Sequence, residues 1–125
     1  MSELEDGLES QLKALKVPEY EREYRFGAHH VGMGKNLRAR LIGAGLKDWR
    51  FDFAFVDLNL AVEVEGGSWS SGRHTRGKGF EDDCIKYGKA MELGWNVYRC
   101  TSGMIKSGAA ATSIVKLIAL SKTSP

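Results

Sequence analysis

The spacing of hydrophobic residues changes between a helical period and an alternating period, and these changes divide the chain into elements. Helical spacing predicts helices over residues 4–16, 36–44, 79–93 and 109–120. Alternation with period two, or a short apolar run, predicts strands over residues 20–26, 49–56, 60–65 and 95–101. Glycine-containing segments predict loops over residues 27–35 and 66–78.

The resulting order of elements is α, β, short α, β, β, α, β, α. A pair of adjacent strands followed by a helical crossover to another strand is typical of a mixed sheet flanked by helices, so we predict an α/β fold. The 125 residues, of which 42% are hydrophobic, are enough for one compact domain. Because no proline-rich linker divides the sequence, we expect residues 1–125 to form a single domain.

Three acidic residues interrupt the apolar pattern of the two adjacent strands. If these strands form an antiparallel hairpin, Asp52, Glu63 and Glu65 lie on one face, opposite the main apolar set. Carboxylates in apolar strands are costly without a partner, and a shared divalent cation such as Mg²⁺ removes that cost. A metal site is therefore one interpretation. In the other, Asp52 pairs with Arg50 or Arg25 and the glutamates lie on a solvent-facing edge.

The predicted loop after these strands is rich in glycine and in cationic side chains. The cationic residues are Arg73, His74, Arg76 and Lys78. In one interpretation they bind backbone phosphates and give an affinity for nucleic acid that falls with increasing salt concentration. In the other, the loop is an ordinary solvent-exposed loop whose charges keep the protein soluble. Trp69 in the same loop either stacks on a base or packs onto the sheet.

The overall composition limits the partners of the protein. The 18 Lys and Arg residues nearly balance the 16 Asp and Glu residues, which excludes a histone-like polycation and requires any nucleic-acid-binding surface to be local. A second basic cluster would be such a surface, or else an ordinary solvated face; it consists of Lys35, Arg38, Arg40, Lys47 and Arg50. The acidic first residues, the lack of a 20-residue apolar run and two cysteines without a CxxC motif predict a cytoplasmic protein with no membrane partner.

Three segments carry a resemblance to a known family. RFDFAF at 50–55, AVEVEGG at 61–67 and GRHTRGKGFEDDCIKY at 72–87 resemble the PD-(D/E)XK nuclease superfamily. More narrowly, they are similar to small phage endonucleases related to very-short-patch repair and Holliday-junction-cleaving enzymes. The resemblance implies a three-layer restriction-endonuclease-like core, αβββαβ. It also implies an endodeoxyribonuclease that uses Mg²⁺, with Mn²⁺ as a substitute.

The implied substrate is DNA, cleaved with structure selectivity or weak sequence specificity during phage DNA processing, recombination or repair. A phage-encoded protein of this kind would act in the cytoplasm of the bacterial host. The alternative function is a non-catalytic nucleic-acid-binding protein that retains the nuclease fold. It is favoured by the absence of the lysine that most members carry in the motif.

The resemblance also implies roles for individual residues. Asp52 and Glu63 occupy the two acidic metal-binding positions of the motif, and Val64 supplies a backbone carbonyl to the metal. Glu65 occupies the position where most members have lysine, so it would join the metal ligands instead. Lys86 on the following helix is the candidate for the missing lysine's task of positioning the attacking water.

Two further residues or elements have open interpretations. Glu5 on the first helix resembles an acidic residue that holds metal-bound water in many relatives. Alternatively, Glu5 belongs to a capping box with Ser2, and Glu9 is the other candidate for the role at the metal. The final helix is more apolar than one buried face requires. Either it forms a homodimer contact or it is completely buried.

Overall fold

Four strands form a single sheet in the computed structural model, which describes residues 3–65 and 77–123. The strands are β1 Glu21–Tyr24, β2 Phe51–Phe55, β3 Leu60–Val64 and β4 Asn96–Cys100. The α-helices are α1 Glu3–Ala14, α2 Phe26–Val31, α3 Leu37–Gly43, α4 Lys78–Glu92, α5 Ser102–Lys106 and α6 Ala109–Thr123. A 3₁₀ turn, Val56–Leu58, joins β2 to β3.

The order of the strands in the sheet is β1-β2-β3-β4. β1 pairs antiparallel with β2, and β2 pairs antiparallel with β3 in the predicted hairpin. β3 and β4 are parallel, as a helical crossover between them requires. The predictions of an α/β fold and a mixed sheet are therefore confirmed.

Apolar side chains are buried in two clusters because successive strand residues point to opposite faces of the sheet. The larger cluster joins strand residues to α1, α5 and α6, and includes Leu8, Leu12, Phe53, Phe55, Leu60, Val62, Ile105, Ile114 and Ile118. The smaller cluster joins the sheet to α2 and α4, and consists of Phe26, Phe51, Ala54, Ala61, Ala90 and Trp95. Helices thus cover the sheet in both clusters.

The segment 27–35 was predicted to be a loop, and that prediction is wrong because α2 occupies its first half. Phe26 and Ala28 are fully buried, so the helix is stabilised by packing that local propensity does not reveal. Gly27 permits this packing: a Cβ atom on it would lie 2.3 Å from the carbonyl oxygen of Lys47. Asn36 is suited to cap the predicted short helix, and it directly precedes α3, but its φ is +62° and its side chain makes no capping hydrogen bond.

Helical spacing in this segment predicts an apolar stripe of Phe80, Cys84, Tyr87 and Met91 on α4, and that prediction is wrong. Phe80, Cys84 and Met91 are exposed, whereas Ala90 is fully buried and Lys86 and Tyr87 are partly buried. The helix is rotated relative to the prediction because the sheet face beneath it presents carboxylates as well as alanines. Its cationic and phenolic side chains therefore face the sheet.

The last two predicted elements are less buried than their sequences suggest. The apolar run over residues 95–101 predicts a buried strand, but in β4 only Cys100 is buried, so that prediction is wrong. α6 buries Ala110, Ile114 and Ile118 but leaves Leu120 65% exposed, so it is not completely buried. The homodimer contact through this helix stays a prediction. Within residues 3–65 and 77–123, the helices are too short or too polar to cross a membrane.

Candidate functional site

Three carboxylates lie side by side across the first three strands. The neighbours of Glu23 in β1 pair with the neighbours of Asp52 in β2, so these two residues lie opposite each other. The β2–β3 ladder pairs Phe53 with Val62, and one position further along it Asp52 lies opposite Glu63. The acidic residues of neighbouring strands are therefore held side by side in one row across the sheet.

The carboxylates of Asp52 and Glu63 replace backbone acceptors at this point of the ladder. The backbone N–H of Asp52 donates to Oε2 of Glu63 at 2.9 Å. The backbone N–H of Val64 donates in turn to Oδ2 of Asp52 at 2.7 Å. These two hydrogen bonds satisfy backbone donors that would otherwise be unpaired, and they fix the orientation of both acids.

A second grouping of acids shares Asp52. Carboxylate oxygens of Glu5, Glu23 and Asp52 lie within 4.8 Å of one another, and we call these residues the acidic triad. Glu5 comes from α1 and Glu23 from β1. Glu23 has a φ of +52°, a left-handed conformation that costs a non-glycine residue about 1 kcal/mol. Strain of this kind is often found at functional sites.

Asp52 has the most informative electrostatic environment of the three. Burial raises the pKa of its carboxyl to about 7, and the neighbouring charge of Glu63 adds to the rise. Glu5 and Glu23 raise the pKa further, while the hydrogen bond from Val64 opposes them. Near neutral pH the carboxyl is therefore partly protonated unless a cation compensates its charge.

Glu63 is buried, with 6% of its surface exposed, and its second oxygen faces α4. Oε1 accepts hydrogen bonds from Nζ of Lys86 at 2.5 Å and from the hydroxyl of Tyr87 at 3.0 Å. Burial raises the pKa of the Tyr87 hydroxyl strongly, and the charges of Glu63 and Glu65 add to this effect. Tyr87 therefore stays protonated and acts as a donor to the carboxylates.

Glu65 lies beside the same tyrosine and is directed towards β4. Its Oε2 accepts from the Tyr87 hydroxyl at 3.2 Å and from Nε of Arg99 at 3.1 Å. The guanidinium of Arg99 also lies 4.6 Å from the centre of the Tyr87 ring. Glu65 is thus paired with an arginine, while Glu63 is paired with a lysine.

One hydrogen-bond network joins the predicted residues Asp52, Glu63, Glu65 and Lys86. The three acids among them nevertheless do not form one tight cluster. Among residues 3–65 and 77–123, the acids at metal-binding spacing are the acidic triad. The alternative interpretation of Asp52 is not realised: Arg25 pairs with Asp48 at 2.5 Å, and Arg50 forms no ion pair with Asp52. Val64 contacts Asp52 through its backbone N–H, and the role predicted for its carbonyl stays a prediction.

The two glutamates of α1 are distinguished by their partners. Glu9 accepts hydrogen bonds from Tyr20 at 2.7 Å and from Arg22 at 2.9 Å, which direct it away from the triad. Glu5 also forms an ion pair with Arg22, at 3.2 Å, yet it reaches Asp52. Ser2, the predicted partner of Glu5 in a capping box, lies outside the described residues.

Most of the predicted substrate-binding residues fall in a segment that the structure does not describe. Trp69, Arg73, His74 and Arg76 all lie between residues 65 and 77. Lys78 begins α4, where its side chain is 88% exposed and lies 3.8 Å from Asp82. The phosphate contacts predicted for these residues therefore stay predictions.

Sequence patterns did not identify three residues of the site. Glu23 was interpreted only as a polar position of β1, because its importance depends on which strand pairs with β1. Tyr87 was assigned to an apolar stripe of α4. Arg99 was not noticed, although a charge inside an otherwise apolar strand was a signal that could have identified it.

No protein-family model matches the chain, and neither a curated protein nor a solved structure is significantly similar to it. The resemblance to the PD-(D/E)XK nucleases therefore stays a prediction. The geometry on its own describes a partly buried acidic row. A triad of acids lies at one end of it, and cations from α4 and β4 lie at the other.

Proposed function

We propose that the protein is a metal-dependent endonuclease with a restriction-endonuclease-like core that hydrolyses phosphodiester bonds in DNA. One observation carries this proposal. The Asp52 carboxyl, whose pKa is raised to about 7, lies between the glutamates of the acidic triad and the Glu63–Lys86 ion pair. Acids and a lysine arranged in this way can hold a hard cation and orient a nucleophile beside it.

The donor set of the acidic triad fits a Mg²⁺ ion. Mg²⁺ prefers carboxylate oxygens together with water and substrate phosphates, and the three side chains offer oxygens within 4.8 Å of one another. Burial and mutual repulsion of the acids raise the pKa of Asp52, and a bound cation would relieve both effects. When bound, the ion would polarise the scissile phosphate and acidify a water molecule.

The remaining side chains would hold and orient groups around this ion. Glu63 is fixed by the backbone of Asp52 and by Lys86, so its carboxylate stays next to the triad. The Nζ of Lys86 carries the donor protons that would hold the attacking water or a phosphate oxygen. Tyr87 and Arg99 bind Glu65, which stands where most of the resembled nucleases have lysine.

A plasmid-nicking assay tests the proposal. Purified protein is incubated with supercoiled DNA in Mg²⁺, in Mn²⁺ or in EDTA, and junction and flap substrates are compared at equal concentration. We expect cleavage with either metal and none with EDTA. The substitution Asp52→Asn should lower the rate by about 100-fold or more.

The matched control is Asp57→Asn, which removes an exposed acid from the turn after β2 and should leave the rate unchanged. Equal rates for the native protein and Asp52→Asn on every substrate would contradict the proposal.

The second candidate function, non-catalytic binding of nucleic acid, is favoured by one specific feature. Glu63 already accepts three hydrogen bonds, from Asp52, Lys86 and Tyr87, and so has partners without a metal. Salt-sensitive binding of DNA that is indifferent to EDTA, together with no cleavage under any condition above, would select this function.

A further inference from the structure

Positive charge is concentrated in one stretch of the chain. Residues 25–50 contain six Lys and Arg residues and one acid, so this stretch has a formal charge of +5. The whole chain has a charge of +2, and the rest of it is therefore net negative. The stretch contains α2 and α3, which contact each other, and leads directly into β2.

Two of the six cations are occupied by local contacts. Arg25 forms its ion pair with Asp48, and Arg40 donates to the backbone carbonyls of Val31, Gly32 and Lys35. The other four have exposed side chains and no ion-pair partner among the described residues. These four, Lys35, Arg38, Lys47 and Arg50, are named here the α2–α3 cationic surface.

These cations are not scattered over the molecule. Arg38 and Lys47 line the same surface depression, together with the apolar side chains of Leu41 and Leu46. The charge of Arg50 contributes to lowering the pKa of Asp48, which also lines that depression. Since Asp48 is neutralised by Arg25, no acid of residues 25–50 is left to offset the four exposed cations.

The α2–α3 cationic surface is continuous with the acidic row. Arg50 precedes Asp52 by only two residues and lies directly before β2, so the cationic surface and the acidic row meet along the chain. Two residues of extended chain span about 7 Å. A polyanion bound along the cations would therefore pass directly by Asp52.

We propose that the α2–α3 cationic surface binds the phosphate backbone of duplex DNA and guides it to the acidic row. The role of this surface in delivering DNA to the acidic row rests on the proposed function. The binding of DNA itself requires neither a metal nor cleavage. A duplex is favoured because the phenylalanine and the tryptophan of this stretch pack against each other, whereas binding of unpaired bases uses such side chains for stacking. Phe26 is buried, and Trp49 stacks on it with ring centres 5.9 Å apart.

The test is fluorescence anisotropy with a labelled 20-base-pair duplex in EDTA, so that cleavage plays no part. The triple variant Lys35→Glu, Arg38→Glu, Lys47→Glu is compared with a control of equal net charge, Lys106→Glu, Lys116→Glu, Lys122→Glu, whose exposed residues lie on α5 and α6. The variant should bind at least about ten-fold more weakly than the control. The slope of log Kd against log salt should fall by roughly 2 to 3, since each phosphate contact contributes about 0.9.

A milder variant with glutamine at the same three positions keeps the test valid if charge reversal disturbs folding, and circular dichroism checks each protein. Unchanged duplex affinity in both variants would overturn the inference, as would tighter binding of single-stranded DNA or of RNA than of the duplex. Loss of binding in a protein that never cleaves DNA would support this inference while contradicting the nuclease. Cleavage by the native protein, together with unchanged duplex binding by the variants, would support the nuclease and contradict this inference.

Discussion

Glu63 is held more firmly than any other acid of the site that the structure describes. Its oxygens accept hydrogen bonds from the backbone of Asp52, from Lys86 and from Tyr87, and only 7% of its side chain is exposed. A buried carboxylate of this kind depends on its cation, because removal of one partner leaves an uncompensated charge. The ion pair with Lys86 therefore has a structural role whether or not Lys86 takes part in catalysis.

Replacement of Lys86 by methionine should lower the free energy of unfolding by about 3 kcal/mol, because Glu63 then stays buried without its cation. Urea denaturation measures the change. The control is Lys89→Met on the same helix, which removes a more exposed pair with Glu92 and should cost less than about 1 kcal/mol. Equal effects of the two substitutions would contradict the buried ion pair.

The raised pKa of Asp52 predicts a dependence of stability on pH. The folded protein binds a proton at Asp52 up to a pKa of about 7, whereas the unfolded chain releases it near an ordinary value of about 4. The proton-linked stabilisation is therefore complete below about pH 4 and is lost as the pH rises to about 7.

In metal-free protein, the free energy of unfolding should fall with rising pH over this range more steeply than in Asp52→Asn. Denaturation at several pH values in EDTA measures both slopes. If native protein and Asp52→Asn have parallel pH profiles, Asp52 is an ordinary carboxyl. Mg²⁺ should also stabilise the native protein more at pH 8 than at pH 6, because the cation competes with the proton.

At the scale of elements, the β2–β3 hairpin could be predicted from sequence and the surroundings of the hairpin could not. Alternation in both strands predicted that Asp52 and Glu63 lie close together, and the hydrogen bond from the Asp52 N–H to the Glu63 carboxylate shows that they are in contact. The pairing of β1 with β2 depends on long-range contacts that alternation does not specify, so Glu23 was missed. The rotation of α4 was missed because Phe80 and Met91 are apolar yet exposed.

The contribution of β1 can be tested at Glu23. Glu23→Gly removes the cost of the left-handed φ and should raise the free energy of unfolding by up to about 1 kcal/mol, while weakening the response to Mg²⁺. Lys16→Gly is the matched control, because Lys16 also has a positive φ, 55°, but lies outside the acidic triad. Melting curves with and without Mg²⁺ separate the two effects.

Only Glu23→Gly should lose part of the shift in melting temperature that Mg²⁺ produces. A full shift in this variant would show that Glu23 holds no cation.

At the scale of the whole molecule, apolar, acidic and cationic groups are concentrated in different regions of the fold. The larger apolar cluster, with α1, α5 and α6, stabilises one side. The acidic row lies between the helices: Glu5 of α1 reaches Asp52, and Lys86 of α4 reaches Glu63. A net charge of +2 conceals this segregation, which is why composition alone indicated only that a basic surface would have to be local.

The site could be predicted only in part because it is assembled from six elements, α1, α4 and the four strands. Sequence spacing relates residues within one element or between neighbouring strands, so it identified Asp52, Glu63 and Glu65 together. Glu5, Lys86 and Arg99 meet them only through tertiary packing. For the first two of these, the resemblance to a nuclease family supplied what spacing could not.

Diffraction from crystals of the protein soaked in Mn²⁺ tests most directly whether the acidic triad binds a cation. The anomalous signal locates the ion without reference to any catalytic assay. We expect a peak in contact with an oxygen of Asp52 and with at least one oxygen of Glu5 or Glu23. Ordered triad side chains with no anomalous peak between them would contradict the cation site, and with it the proposed metal-dependent chemistry.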